Sequence, residues 1–366
     1  MQPIHYELKP KRRREPFRPS RELPFGKQHT DHAFMMEYSE GEWHSPRIVP
    51  EGRVELSPRA VVFHYGQTIF EGMKAFQHAD GELYLFRPEE HARRFNTSAD
   101  IMVMPSIPLE DQLEAIKALA DVERQWYPQM EGGSLYIRPV MWGTEESLRV
   151  KESETYQYCI LVSPVQPYFS QGFQAGTLMI TDQFHRAVPG GTGKAKTGGN
   201  YGASLRAMRR AKAAEADQVL YLDVSNTFLD EAGAMNHFQV TSRGEIIIPE
   251  FTETILESIT ARSMLALGKQ LQHPVRQERI SLEDFLYGIK EGEIVEAGGL
   301  GTAAGVFPVG KYLVSVGRDR KELERVVVGE GRAGEVSREM YGLLQGIQRG
   351  RMAAPPGWME KVTRKV

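Results

Sequence analysis

Two lysines stand between two glycine clusters in the stretch PGGTGKAKTGGNYGASLRAMRRA, Pro189 to Ala211. A deprotonated lysine amine is both nucleophile and base, and glycines let the backbone take positive φ and approach a ligand closely. The stretch therefore admits three readings: a phosphate cradle, a flexible linker, or a loop that presents one lysine for chemistry. A P-loop needs Gly, four residues, then Gly-Lys followed by Ser or Thr. Ala195 follows Gly193-Lys194 and Val188 occupies the first glycine position, so that reading fails. A dinucleotide fingerprint, G-x-G-x-x-G behind a parallel strand with an acidic residue about 20 positions on, is also absent. The alanines, Leu205 and the arginines after Tyr201 favour a helix whose N-terminus would face whatever the loop binds. Linker and lysine-presenting loop both remain open on these residues alone.

Composition frames the choice. The chain has 366 residues, 41 % hydrophobic and 25 % charged, with a formal charge of −3. That length favours two domains, and the charge gives no case for nucleic acid or an acidic membrane surface. The expected partners are small molecules and a second copy of the chain. Cys159 is the single cysteine. No intrachain disulfide or multi-cysteine metal site can form, no metal is expected, and a reducing cytoplasm fits. No apolar run approaches the roughly 20 residues of a membrane span, and the N-terminus lacks the apolar core of a signal peptide. The basic stretch KPKRRREPFRPSR, Lys9 to Arg21, reads as an extended arm within residues 1–30.

Residues 31–165 read as a small α+β domain. Strand-like runs with turn signals at Pro50-Glu51-Gly52 and Ala79-Asp80-Gly81 precede a helix opened by Pro88 and an amphipathic helix in PLEDQLEAIKALADVERQWY. SLYIRPVMWG and QYCILVSPV return to strand. Residues 166–177, rich in Pro, Gly and Ser, read as the interdomain linker, and 178–366 as the larger domain. There the lysine loop and its helix precede strands at QVLYLD, NTFLDEAG, MNHFQVTSRGEIIIP, GEIVEAGG and TAAGVFPVG, with helices at ESITARSMLALGKQL and GEVSREMYGLLQGIQRG.

The company the loop keeps decides its reading. FHYGQTIFEGMKAF, LFRPEEHARRFNTSA, SLYIRPVMWGTEESL, KTGGNY, LDEAGAMNHF, TILESITARSM and EAGGLGTAAGVFPVG occur in this order from Phe63 to Gly310. Together they resemble the branched-chain amino acid aminotransferases of the fold-type-IV, pyridoxal 5'-phosphate-dependent family. The resemblance implies a D-amino acid aminotransferase-like fold: a smaller N-terminal α+β domain, a larger α/β domain around a β-barrel-like sheet, and the cofactor in the cleft between them. It also implies a homodimer, because in this family a partner loop completes the pocket.

Carried over residue by residue, the resemblance makes Lys196, not Lys194, the amine that holds pyridoxal phosphate as a Schiff base and shuttles the substrate proton. Tyr201 would bond the cofactor's phenolic oxygen, and Glu231 would keep the pyridine nitrogen protonated, with Asp230 on the opposite, surface side of its strand. Arg94, Ile259, Thr260 and Thr302 would take the phosphate, with Arg93 facing solvent. Tyr65, Phe70, Tyr136 and Val150 would line the side-chain pocket, with Ala303, Ala304 and Tyr65 near the α-carboxylate and Arg138 supporting the tyrosines. The implied reaction is transamination of Leu, Ile and Val with 2-oxoglutarate. Ala234, Arg149, Leu256–Ser258 and Trp142 depart from the family pattern around the substrate. Of these, Ala234 and Arg149 keep open a D-amino acid or (R)-amine transaminase, or a lyase of the same fold. A non-catalytic phosphate-ligand-binding protein is the alternative of another class.

Overall fold

The computed structural model describes residues 1–9, 17–19, 22–169, 172–317 and 323–365. Residues 10–16, 20 and 21 of the expected basic arm, and 170 and 171 of the expected linker, lie outside the described residues. The chain divides into two units that are not contiguous in sequence. Unit 1 is Met1–Pro167 with Ala195–Gly198 and Gly346–Val366; unit 2 is Tyr168–Lys194 with Gly199–Gln345. Four residues of the lysine loop, and the chain from Gly346 onward, thus depart from the contiguous division expected from composition.

In unit 1 the β-branched and aromatic runs form a 9-stranded sheet. Ser134–Gly143 lies at its centre, antiparallel to Tyr156–Val165, Met73–Gln77 and the short Thr68–Phe70. Asp80-Gly81 makes the expected turn, with Gly81 at φ 78. Helix Pro88–Ile101 starts on the proline, whose fixed φ and missing N–H suit a first turn, and Leu109–Val122 follows. Phe95, Ala99, Ile116 and Leu119 of these helices pack on Phe34, Ile69, Met73, Ile137 and Tyr158 of the sheet. The C-terminal strand Met359–Lys361 pairs with Leu83–Phe86, which ties the chain end to this unit.

In unit 2 six strands close on themselves: Gly176–Thr181, Gln218–Leu222, Leu229–Ala232, Met235–Thr241, Ile294–Gly301 and Gly305–Ser315. Closure removes the unpaired edges that an open sheet leaves. Helix Leu282–Lys290 is an element that the sequence reading passes over. Its signals are local: Ser281 accepts the Asp284 N–H at 3.0 Å, and Leu282, Phe285, Leu286 and Ile289 fall on one face.

His237, on Met235–Thr241, is fully buried with its ring edge-on to Phe285 at 5.2 Å. Burial pushes its imidazole down to about 3, against the opposing pull of the Gly298 carbonyl. An unfolded histidine titrates near 6.5, at about 1.4 kcal/mol per pKa unit. Above that pH both states are neutral. Below it the unfolded state takes a proton that the folded state refuses, so stability falls as pH falls towards about 3. His237→Leu is expected to flatten the loss by up to about 1.4 kcal/mol per pH unit, read from urea unfolding at pH 7.5 and 5.5.

Candidate active site

Lys196 lies in the strip Ala195–Gly198, which belongs to unit 1. Its main chain is fixed on both sides: the Lys196 N–H donates to Ser98 Oγ at 2.9 Å, and its carbonyl accepts the Phe70 N–H at 2.9 Å. Thr197 bridges to Ile69 in antiparallel register and its hydroxyl donates to the Thr68 carbonyl at 2.7 Å. A glycine-rich stretch is thereby held like a strand edge. The Lys196 amine sits 4.7 Å from the centroid of the Phe70 ring. Lys194 is half-buried and lies in the unit 2 part of the loop.

Beside Lys196, Arg138 donates to the Tyr136 hydroxyl at 2.9 Å and its guanidinium stands 4.8 Å from the Phe70 ring. Phe25 meets Tyr136 edge-on at 4.7 Å. A Cβ on Gly72 would fall 2.0 Å from the Tyr136 hydroxyl, so only glycine leaves room for that tyrosine. Phe70, Tyr136 and Arg138 are therefore brought together, and Phe25 joins them from a segment that composition assigns to the arm. Tyr65 and Val150 are placed differently. Val150 is 85 % exposed and Tyr65 39 % exposed, with the Tyr65 hydroxyl donating to the Leu148 carbonyl.

Arg94 sits on the helix opened by Pro88, and its partner is a residue that sequence reasoning missed. Glu71, 1 % exposed, accepts Arg94 Nε at 2.9 Å and Nη2 at 2.6 Å, and His91 Nδ1 lies 3.2 Å from the same carboxylate. The guanidinium and the imidazole hold the Glu71 carboxyl well below its usual range against the cost of burial. Burial, with Arg94 and Lys196 nearby, lowers the His91 pKa despite Glu71. Arg93 turns outward to Glu89. Breaking a buried pair by removing one partner costs about 3–5 kcal/mol. Glu71→Ala is accordingly expected to lower the thermal midpoint markedly and to loosen Arg94, read by calorimetry and by retention of a phosphate ligand on dialysis.

Within unit 2, Glu231 and Asn236 face each other across adjacent strands. Glu231 accepts the Leu256 N–H; Asn236 donates to the Leu256 carbonyl and accepts the Ser258 N–H, both at 2.9 Å. Ser258 caps helix Ile259–Leu271 and donates to the Leu300 carbonyl at 3.1 Å, which ties the helix start to the hairpin carrying Thr302, Ala303 and Ala304. The amides of Ile259 and Thr260 are first-turn donors without intrahelical acceptors. Tyr201 is half-buried in the first turn of helix Gly198–Ala213, and Asn200 closes the loop on Thr192 with two 2.8 Å bonds.

Asp230 corrects an expectation. It is 3 % exposed rather than on the surface, because both faces of its barrel strand are covered, and burial raises its pKa. Among the departures, Ala234 and Arg149 are exposed and Trp142 is half-buried. Among the described residues no group of three or more His, Cys, Asp or Glu side chains could hold a metal ion.

Residues 68–312 match the family amino-transferase class IV. The chain is 41 % identical over 343 residues to branched-chain-amino-acid transaminase 1 of Bacillus subtilis, covering 93 % of this chain and 94 % of that protein. It is 37 % identical over 348 residues to a branched-chain-amino-acid aminotransferase of Mycobacterium tuberculosis, covering 93 % of each. Among solved structures, the T.th. branched-chain amino acid aminotransferase with pyridoxamine 5'-phosphate superposes with a TM-score of 0.74 at 27 % identity, covering 92 % of this chain and 100 % of that one. The same T.th. enzyme complexed with N-(5'-phosphopyridoxyl)-L-glutamate gives 0.72. The fixed lysine strip, the Glu71–Arg94 pair and the capped helix thus stand in a chain that belongs to the class IV amino-transferases and, among them, to the branched-chain-amino-acid aminotransferases.

Proposed function

We propose that the protein moves the amino group of L-leucine, L-isoleucine and L-valine to 2-oxoglutarate with pyridoxal 5'-phosphate as cofactor. The observation that carries this reading is the Lys196 amine, fixed through its own backbone and set 4.7 Å from the Phe70 ring. The donor set fits the cofactor. Glu71 fixes Arg94 through Nε and Nη2, so the held guanidinium would be a cation for the phosphate, and in unit 2 the first-turn amides of Ile259 and Thr260 and the Thr302 hydroxyl would be neutral donors.

When bound, the cofactor supplies an electron sink for the pair left on Cα after its proton departs. Lys196 Nζ would hold the cofactor and, with its amine free, would take and return the Cα proton as a general base. Glu231 would favour a proton on the pyridine nitrogen, and Tyr201 would donate to the phenolic oxygen. Phe70, Tyr136 and Phe25 offer apolar surface to a branched side chain, whose burial is worth roughly 1.5–3 kcal/mol. Arg138, fixed by the Tyr136 hydroxyl, supplies the charge that lets glutamate enter the same wall. Initial rates with 2-oxoglutarate and L-leucine, D-alanine or an (R)-amine test the reading: L-leucine is expected to be fastest, and a faster D-alanine or (R)-amine rate overturns it.

A homodimer accounts for Tyr65 and Val150. Each is exposed, as are Phe63, 60 % exposed, and Leu148, 54 % exposed, whose carbonyl accepts the Tyr65 hydroxyl, and such apolar exposure suits burial against a second copy whose pocket they complete. Val150→Asp is expected to raise the KM for L-leucine, and light scattering is expected to give twice the chain mass for the wild type. Among the described residues no helix is long and apolar enough to cross a membrane, and the single buried Cys159 suits a reducing cytoplasm.

A further inference from the structure

Arg186 is a buried cation outside the seven stretches that carry the family resemblance. It is 7 % exposed, and its Nη2 donates to the Gly193 carbonyl at 2.7 Å and the Thr254 carbonyl at 2.5 Å. The same nitrogen lies 3.3 Å from Glu231 Oε1. Three segments converge on one guanidinium: the loop that leads to Lys196, the turn that leads to helix Ile259–Leu271, and the strand that carries Glu231. The two turns are pressed together, since a Cβ on Gly193 would fall 2.4 Å from the Glu253 carbonyl and 2.7 Å from Thr254 Cα.

We propose that Arg186 is the positioning residue for Glu231, holding its carboxylate ionised and aimed while pinning the turns at Gly193 and Thr254. The proposal rests on the pyridoxal phosphate reading above. A carboxylate that is 3 % exposed would take up a proton to escape the cost of a buried charge unless a cation stood beside it. Arginine is suited to this because it does not release its proton, and here its Nη2 faces all three oxygens at once. A protonated Glu231 could not hold the pyridine proton. Asp230 and Tyr221 also feel this guanidinium. Asp230 feels the Arg186 charge although burial raises its pKa, and Tyr221, pushed up to about 12 by burial, feels Arg186 and Glu231 in opposite senses.

The test uses the holoenzyme and the variants Arg186→Met and Arg186→Lys, with three readouts: pH titration of the cofactor's visible absorbance, kcat and KM for L-leucine, and the thermal midpoint. Arg186→Met is expected to displace the absorbance titration and to lower kcat about ten- to hundredfold with KM little changed, as when the group orienting a functional side chain is lost. Arg186→Lys keeps the charge without the fork and is expected to recover part of kcat and to lie between the two in its titration. A fall in thermal midpoint with the titration and kcat of wild type would make Arg186 a structural staple and overturn the proposal. If Arg186→Met does not fold, Arg186→Lys decides, and a wild-type titration and kcat there overturn it equally. A wild-type protein that gains no visible band with pyridoxal phosphate sinks the cofactor reading itself, which is a different failure from a banded wild type with unaltered variants.

Discussion

Lys196→Ala is expected to abolish the covalent hold on pyridoxal phosphate and to lower turnover by orders of magnitude. The variant loses an amine that serves twice. A positioned general acid–base contributes about 10²–10⁴-fold alone, and losing the covalent anchor adds to that. The fold is expected to survive, because the contacts that fix this residue come from its backbone: N–H to Ser98, carbonyl to Phe70. The proposed phosphate donors Arg94, Ile259, Thr260 and Thr302 do not depend on the amine, so noncovalent binding of the cofactor is expected to be retained. Lys194→Ala, two residues earlier, is expected to leave spectrum and rate close to wild type. Absorbance spectra and steady-state rates with L-leucine check both variants, and a Lys194→Ala protein as inactive as Lys196→Ala would exchange their roles.

Glu231→Gln is the second large effect. The substitution keeps the side chain's shape, so the contact to the Leu256 N–H can persist through the amide oxygen. The negative charge is lost, and with it the partner that favours a protonated pyridine nitrogen. We expect kcat to fall on the order of 10²-fold or more, the size typical of removing one preorganised electrostatic group from a site. Arg186, 5 % exposed at its side chain, would also lose its counter-charge, so the thermal midpoint should drop. Stopped-flow absorbance with L-leucine and no acceptor separates the two consequences. A half-reaction as fast as wild type would show that the carboxylate does no work in catalysis.

Much of this site is legible in local sequence because local chemistry writes it. Pro88 marks a helix start, Asp80-Gly81 a turn, and the resemblance carried by KTGGNY selects Lys196 over its neighbour. What escapes is long-range. Glu71 and Arg94 are 23 residues apart and meet where a helix packs against the connection after strand Thr68–Phe70, and Arg186 reaches a carbonyl 68 residues away. No periodicity announces such a partner. Asp230 escapes for a related reason: strand alternation predicts an outer face open to water, whereas a closed barrel with helices around it covers both faces. Phe25 belongs to a segment whose composition reads as an arm, and only its 4.7 Å contact with Tyr136 places it. The helix Leu282–Lys290 is the opposite case, since the Ser281 cap and the apolar spacing are both local signals.

The most direct test is to reduce the holoenzyme with borohydride, digest it, and locate the pyridoxyl group by peptide mass spectrometry. The fixed strip Ala195–Gly198 predicts one stable adduct, on Lys196, at close to one per chain. An adduct on Lys194, or on a lysine outside the loop, would contradict it.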